Sequence, residues 1–263
     1  MGAVLRVGRI GFINTLPVYG PLRQDPGLFE IVEGPPAMLN RMLAAGELDL
    51  ASVSSLAYAS WPEQLVILPG MCIASGGPVM SVRVFASGPP QQWEVVGLAR
   101  ESATSVAMLK FLLHRWGVRA RVVAEDQLPK GAARLLIGDR ALAELGRWPY
   151  ELDVAQAWAE ATGTVAVFGL WVVRRQVLER RREEVRAVHR RLVEALGRGL
   201  GRLEWWAWKA AKSSGLDVIV VRRYYRRLKW VMGEEELGGL RRLYRELAAA
   251  RLLPSTPRLR VGV

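Results

Sequence analysis

Polar residues able to hold and orient a small anion fall at five places in this chain: Asn14-Thr15, Ser54-Ser55, Gly77 with Ser81, Ser102 to Ser105 (including Thr104), and Asp139. The set comprises an amide, several hydroxyls, one carboxylate and the backbone N–H groups around them. Such donors suit an anion such as a carboxylate or a phosphate. Metal and thiol chemistry have little to work with. Cys72 is the single cysteine, which rules out an internal disulfide and a Cys-based zinc site. His114 and His189 are the only histidines, and each sits inside a helical pattern, so a His-rich centre is excluded and a nucleophilic triad is disfavoured.

The elements that must position these residues can be read around them. Val4, Leu5, Val7 and Ile10, continued by Phe12 and Ile13, read as a buried strand that stops at Asn14-Thr15, with Pro17 two residues on. The elbow either caps a helix or lies at the carboxyl end of a strand, where open α/β sheets bind ligands. Phe29–Val32 reads as a second strand, Met38, Leu39, Met42 and Leu43 as one face of a helix, and Leu48–Val53 as a third strand ending at Ser54-Ser55. This β-α-β-α order with short connections argues for a parallel sheet, with both elbows on one edge. Gly76, Gly77 and Pro78 interrupt the next strands, making either a hairpin turn or a close backbone approach to a ligand, and Val79–Ala86 reads as a strand with Ser81 near its start.

Ser87 to Pro90 reads as a break, beyond which a second α/β pattern begins. Ser102, Thr104 and Ser105 crowd the first turn of a helix carrying Val106, Leu109 and Leu113 on one face. They are either caps with extra hydroxyls or part of an anion site at the helix N-terminus. Asp139 follows the strand Leu135–Ile137 and either caps the next helix or faces a ligand. The run Val165–Val173 is long enough for a strand returning to the first unit, and from Gln176 on the pattern is three or four helices.

With 263 residues, half of them hydrophobic, the chain can bury a sizeable core in one large domain or two small ones. No apolar run reaches membrane-spanning length, and no signal-peptide core precedes the first turn. Met1, taken as the natural start, implies a cytoplasmic protein. The net charge of +12 is uneven: residues 174–251 hold 21 Lys/Arg against 10 Asp/Glu. Their interleaving with Glu at helical spacing reads as solvated helix faces, so no specific nucleic-acid partner is expected.

The order RIGFINTLPVY (9–19), GPVMSV (77–82), ESATSVAMLKFLL (101–113), LLIGDRAL (135–142) and Trp158-x-x-x-Thr162-Gly163 running into Trp171 resembles the chorismate dehydratases of the futalosine route to menaquinone. The resemblance covers about residues 4–175. It implies a periplasmic-binding-protein-like (type II) α/β fold of two lobes with an interlobe cleft and a helical C-terminal region. The expected division is 1–86 with 170–263, and 87–169. It also implies a hydro-lyase acting on a small molecule, chorismate, with no metal and no organic cofactor. The family's motif Asn falls on Asn14 and its cleft Ser on Ser81, the expected catalytic pair. Its hydroxyl-rich helix start falls on Ser102, Thr104 and Ser105. Thr15, Ser54, Ser55, Gly77 and Asp139 complete the expected binding set. The chain departs from the family at Ala57, where a Glu is frequent, at Ala161, where a second Trp is frequent, and in a short loop at 126–131. The alternatives are a small-anion solute-binding protein of the same fold, which needs an export signal or anchor Cys; a naphthoate-forming relative, which needs a cleft His; and a basic nucleic-acid binder.

Overall fold

The computed structural model describes residues 4–22, 25–99 and 102–263. The strands are β1 (Leu5–Ile10), β2 (Phe29–Gly34), β3 (Leu50–Ser54), β4 (Leu65–Ser75), β5 (Val82–Ala86), β6 (Val95–Leu98), β7 (Arg121–Ala124), β8 (Ala133–Ile137), β9 (Tyr150–Asp153) and β10 (Ala166–Arg174). The helices are α1 (Leu16–Tyr19), α2 (Pro36–Ala45), α3 (Ser55–Ser60), α4 (Ala103–Arg115), α5 (Asp139–Ala143), α6 (Val154–Thr162), α7 (Arg175–Arg180), α8 (Arg182–Leu200), α9 (Leu203–Ser214), α10 (Val218–Arg227) and α11 (Glu234–Ala249).

Two five-stranded sheets result, ordered β2-β1-β3-β10-β4 and β7-β6-β8-β5-β9. In the first, β1 runs parallel to β2 and β3, while β10 is antiparallel to β3 and β4. The second repeats the scheme: β6 is parallel to β7 and β8, and β5 is antiparallel to β8 and β9. In each sheet the antiparallel insert is the strand that arrives from the other lobe.

Sheet membership moves the expected crossings. Val82–Ala86 belongs to the second sheet, so the chain leaves the first lobe between Ser75 and Val82, and the break at Ser87–Pro90 lies inside the second lobe. Gly76, Gly77 and Pro78 are the crossing itself and make no hairpin, because β5 finds its partners in Arg134–Ile137 and Tyr150–Asp153, far along the chain. The strand β5 also begins three residues later than the expected Val79. The return lies at Gly163–Val165, before β10, which runs wholly within the first sheet. Its continuous apolar run follows from its place between β3 and β4, since a central strand is covered on both faces.

Five helices follow β10, α8 to α11 being the longer ones, and they pack on the first lobe. A Cβ added at Gly199 of α8 would lie 1.8 Å from the carbonyl oxygen of Pro17, so the absence of a side chain lets α8 press against α1. Tyr58 and Tyr244 stack with ring centroids 6.4 Å apart, and the Tyr244 hydroxyl donates to the carbonyl of Ser55 at 2.7 Å. The tail thus bears directly on the strand ends and helix starts that carry the polar elbows.

Candidate active site

The first strand stops at Ile10, and a single 3-10 turn, Ile13–Thr15, leads into α1. No side chain caps either of these short helices, so Asn14 is not spent on a cap. Thr15 turns back on the preceding backbone: its buried hydroxyl donates to the Ile10 carbonyl at 3.0 Å or to that of Phe12 at 2.9 Å, which fixes the elbow. The C-terminal helices grip the same turn. The Tyr225 hydroxyl donates to the Ile13 carbonyl at 2.6 Å, and the Trp230 indole N–H donates to the Asn14 carbonyl at 2.8 Å. With its backbone held, Asn14 presents its amide to a cleft between the lobes.

That cleft is narrow, with a cavity volume of about 80 Å³. The first lobe contributes Phe12, Asn14, Thr15, Ser52, Ser54 and Trp171 to its wall, and the other side contributes Ser81, Ser102, Ser105 and Gly138. Ile10, Val79, Ile137 and Phe168 supply apolar surface. The Trp171 indole N–H donates to the Tyr19 hydroxyl at 3.0 Å, which sets the plane of that ring. No Lys, Arg, His, Asp or Glu is among the described residues that line the cleft.

Ser81 is placed by an unusual device. Met80 before it has φ of 66°, a conformation in which a side chain is strained. The Asp153 carboxylate overrides that strain by accepting the N–H groups of Met80 at 2.7 Å and Val79 at 3.1 Å. It also caps α6 through the N–H groups of Ala155 and Gln156. Burial pushes the Asp153 carboxyl above its ordinary range, while the N–H groups of Met80 and Val79 and the nearby Arg83 pull it back. Backbone strain held in place this firmly marks functional sites. On the same wall, the Ser81 carbonyl accepts the Gly138 N–H at 2.7 Å. Gly138 itself has φ 63° and ψ −139°, and a Cβ there would lie 3.2 Å from the Phe12 ring, so glycine is required twice over.

Of the ten residues expected at the site, Asn14, Thr15, Ser54, Ser81, Ser102 and Ser105 line one cleft. Ser54 caps α3 by accepting the Ala57 N–H, and Ser102 caps α4 by accepting the Ser105 N–H at 3.3 Å. The Ser105 hydroxyl bonds that of Ser102 at 3.0 Å, so the α4 start offers the cleft a paired hydroxyl and a positive helix end. Arg100 and Glu101, the latter opening the ESATS motif, lie outside the described residues.

Ser55, Gly77, Thr104 and Asp139, also expected at the site, are not among the residues that line the cleft. Ser55 is fully buried and donates to the Val167 carbonyl at 2.7 Å. The Thr104 hydroxyl accepts the Leu56 N–H at 2.9 Å, tying α4 to α3 across the lobes. Gly77 folds back on Ser75, whose hydroxyl lies 3.0 Å from the Gly77 carbonyl. Asp139 accepts the Ile13 N–H from behind the elbow. Burial raises its carboxyl above the ordinary value and that N–H lowers it. Its Oδ1 is buried with no hydrogen-bond partner among the described residues.

Residues from the tail complete the site and carry no local signal. Tyr224 of α10 is buried, and its hydroxyl interacts with the side chains of both Asn14 and Ser81. Burial drives the phenol far above its usual range, those two partners pulling it partway back, so it stays a neutral hydroxyl at any ordinary pH. Asp153 was the findable one, since an Asp directly before an apolar helical run is a cap signal. Trp158 of the resembling segment serves packing: its ring lies 5.2 Å from that of Phe111 on α4. Ala57 and Ala161, the two departures, also stand away from the cleft wall.

His114 ends α4 and His189 bonds the Pro69 carbonyl, so neither enters the cleft. No group of three or more His, Cys, Asp or Glu is placed to hold a metal ion among the described residues.

Comparison with known proteins gives the site its context. The family described as menaquinone biosynthesis matches over residues 5–249. The chain belongs to that menaquinone biosynthesis family. A curated relative in the family's range, the chorismate dehydratase of Thermus thermophilus, is 32% identical over 251 positions, covering 88% of this chain and 90% of its own. Among solved structures, protein AF1704 of Archaeoglobus fulgidus superposes with a TM-score of 0.74 at 20% identity, over 96% of this chain and 99% of that one. The periplasmic aliphatic sulphonate-binding protein of Escherichia coli superposes with a TM-score of 0.67 at 17% identity, over 100% and 93% of the two chains. The fold of this family member is therefore periplasmic-binding-protein-like, as its sequence pattern implied. At those identities the structural likeness speaks for the fold alone.

Proposed function

We propose that this chain is a chorismate dehydratase, a hydro-lyase that converts chorismate to 3-[(1-carboxyvinyl)oxy]benzoate and water for menaquinone biosynthesis in the cytoplasm. The family and the similarly named relative support the reading. The observation that carries it is the cleft wall, in which the described residues supply an amide, hydroxyls and N–H groups but no ionisable side chain. Most eliminations need a positioned base. Here the substrate brings its own, because chorismate is a dianion whose ring becomes aromatic on loss of water.

In this scheme a substrate carboxylate takes the ring proton, and the C–H electrons become the last ring double bond. The neighbouring C–O bond breaks, and the departing hydroxide takes that proton to leave as water, restoring the carboxylate. Asn14 and Ser81 orient the ring and the leaving oxygen, and Tyr224 holds both side chains in register. The Ser102-Ser105 start of α4 faces a carboxylate with its free N–H groups and helix dipole. Thr15 and Ser54 shape the first-lobe wall. Ser55, Thr104, Gly77 and Asp139 act as positioning residues, Asp139 by anchoring the backbone beside Asn14.

Incubation of the purified protein with chorismate tests this directly. The expected result is stoichiometric formation of the aromatic enolpyruvyl ether, followed by ultraviolet absorbance and chromatography. Binding of chorismate without turnover supports the solute-binding alternative instead, and no interaction at all removes the reading.

A further inference from the structure

The helices that grip the cleft from behind have an outer face the reaction does not use. On α9, Trp208, Lys209 and Lys212 lie three, four and seven residues after Trp205, so the four share one side of the helix. That side is open: Trp205 is 39% exposed and Trp208 50%. Their neighbour Trp206 points the other way and is buried, its ring packed on Gly20 beyond α1. The helix α10 lies antiparallel beside α9, since Glu204 at the start of α9 pairs with Arg222 and Arg226 near the end of α10. This puts Ile219, 61% exposed, alongside the far end of α9. Half of the exposed large apolar side chains among the described residues thus gather on two adjoining helices. Over residues 198–227 the chain carries eight Lys/Arg against two acids, Glu204 and Asp217. The two have other duties, Glu204 in its arginine pairs and Asp217 capping α10.

We infer that this α9–α10 face docks the protein on an anionic lipid surface. Its composition matches that environment: indole rings and an aliphatic side chain for the headgroup boundary, and flexible cations for the lipid charge. A second copy of the chain is a poor occupant, because a two-fold contact would oppose one strongly basic patch to another. A nucleic acid offers the same phosphates but gains affinity by stacking bases on open rings. Here cations already lie over the rings, Arg202 and Lys209 5.0 and 5.2 Å from that of Trp205 and Lys212 5.5 Å from that of Trp208, and a stacking base would have to displace them. The same α10 that carries Ile219 outward carries Tyr224 and Tyr225 inward to the elbow, so docking and the cleft share a helix. The inference itself stands on the surface and is independent of the proposed reaction.

The test is co-sedimentation of the full chain with vesicles. Vesicles of equal parts phosphatidylcholine and phosphatidylglycerol are expected to bind it at least about tenfold better than pure phosphatidylcholine, with an effect of about fivefold per basic residue engaged. The variant W205S/W208S, altered only at exposed positions and checked for native circular dichroism, is expected to lose about tenfold at unchanged charge. K209Q/K212Q is expected to weaken binding by a similar factor and to flatten its salt dependence. Equal binding to both vesicle types overturns the inference. So does unchanged binding by the tryptophan variant, or tighter binding to duplex nucleic acid at equal phosphate and salt.

Discussion

Replacing Tyr224 with Phe removes one oxygen from the centre of the site and leaves the ring in place. In the wild type that hydroxyl interacts with the side chains of Asn14, in the elbow after β1, and Ser81, at the end of the first crossing. Each neutral hydrogen bond of this kind contributes about 0.5–1.5 kcal/mol. If both serve to orient the pair, the barrier rises by roughly 1–3 kcal/mol, since that is the sum of the two. At about 1.4 kcal/mol per factor of ten, kcat for chorismate falls roughly 5- to 150-fold. Binding should change little, because the cleft wall itself is untouched, and KM stays within about threefold. Global stability drops by about 1 kcal/mol for the lost bonds. The phenol is neutral throughout, so the pH–rate profile of the variant keeps the wild-type shape. The assay is steady-state release of the aromatic enolpyruvyl ether, with a urea titration on the same preparation. A folded Y224F protein with wild-type kcat refutes the positioning role, as does a variant affected only in KM.

Three further outcomes follow from the same coordinates. D153A frees the strained Val79-Met80 segment and uncaps α6, and is expected to cost at least about 2 kcal/mol in urea unfolding and to lower kcat. Retained stability and rate would show that Ser81 needs no such anchor. G199A sets a methyl group against the Pro17 carbonyl, 1.8 Å from it, and is expected to destabilise by about 1–3 kcal/mol, read as a lower melting temperature; an unchanged melting point contradicts the close α8–α1 approach. Burial holds the Asp139 and Asp153 carboxyls above their ordinary values, so the folded protein keeps protons that the unfolded chain has already released. Stability contributed by these groups is therefore present at acid pH and declines as pH rises from the ordinary carboxylate value through the raised ones. D139N should flatten the decline in a series of urea midpoints, and a steeper decline contradicts the assignment.

Much of the first lobe was legible locally. The β1 elbow, the Ser54 cap and the hydroxyl-rich α4 start are set by neighbours in sequence, and each appears where the pattern placed it. The crossings were not, because nothing near Val82–Ala86 records that its partners lie 50 to 70 residues on, in β8 and β9. Thr104 and Ser55 misled for a different reason. A hydroxyl at a helix start looks the same whether it faces a ligand or, as here, a backbone group of another element. Tyr224 and Trp230 were invisible in principle: on a helical wheel they are core residues, and only the packing of the tail turns them toward Asn14.

The bond from the Leu56 N–H to Thr104 spans the two lobes, as does that from the Ile13 N–H to Asp139, and the Phe12 ring lies against Gly138. Together they hold the two lobes to one another beside the cleft. If these contacts must part before a ligand enters, the speed of entry is set by the molecule's own breathing. Raising the ligand concentration then accelerates capture only up to a plateau. That plateau is the opening frequency, and it limits the departure of product as surely as the arrival of substrate.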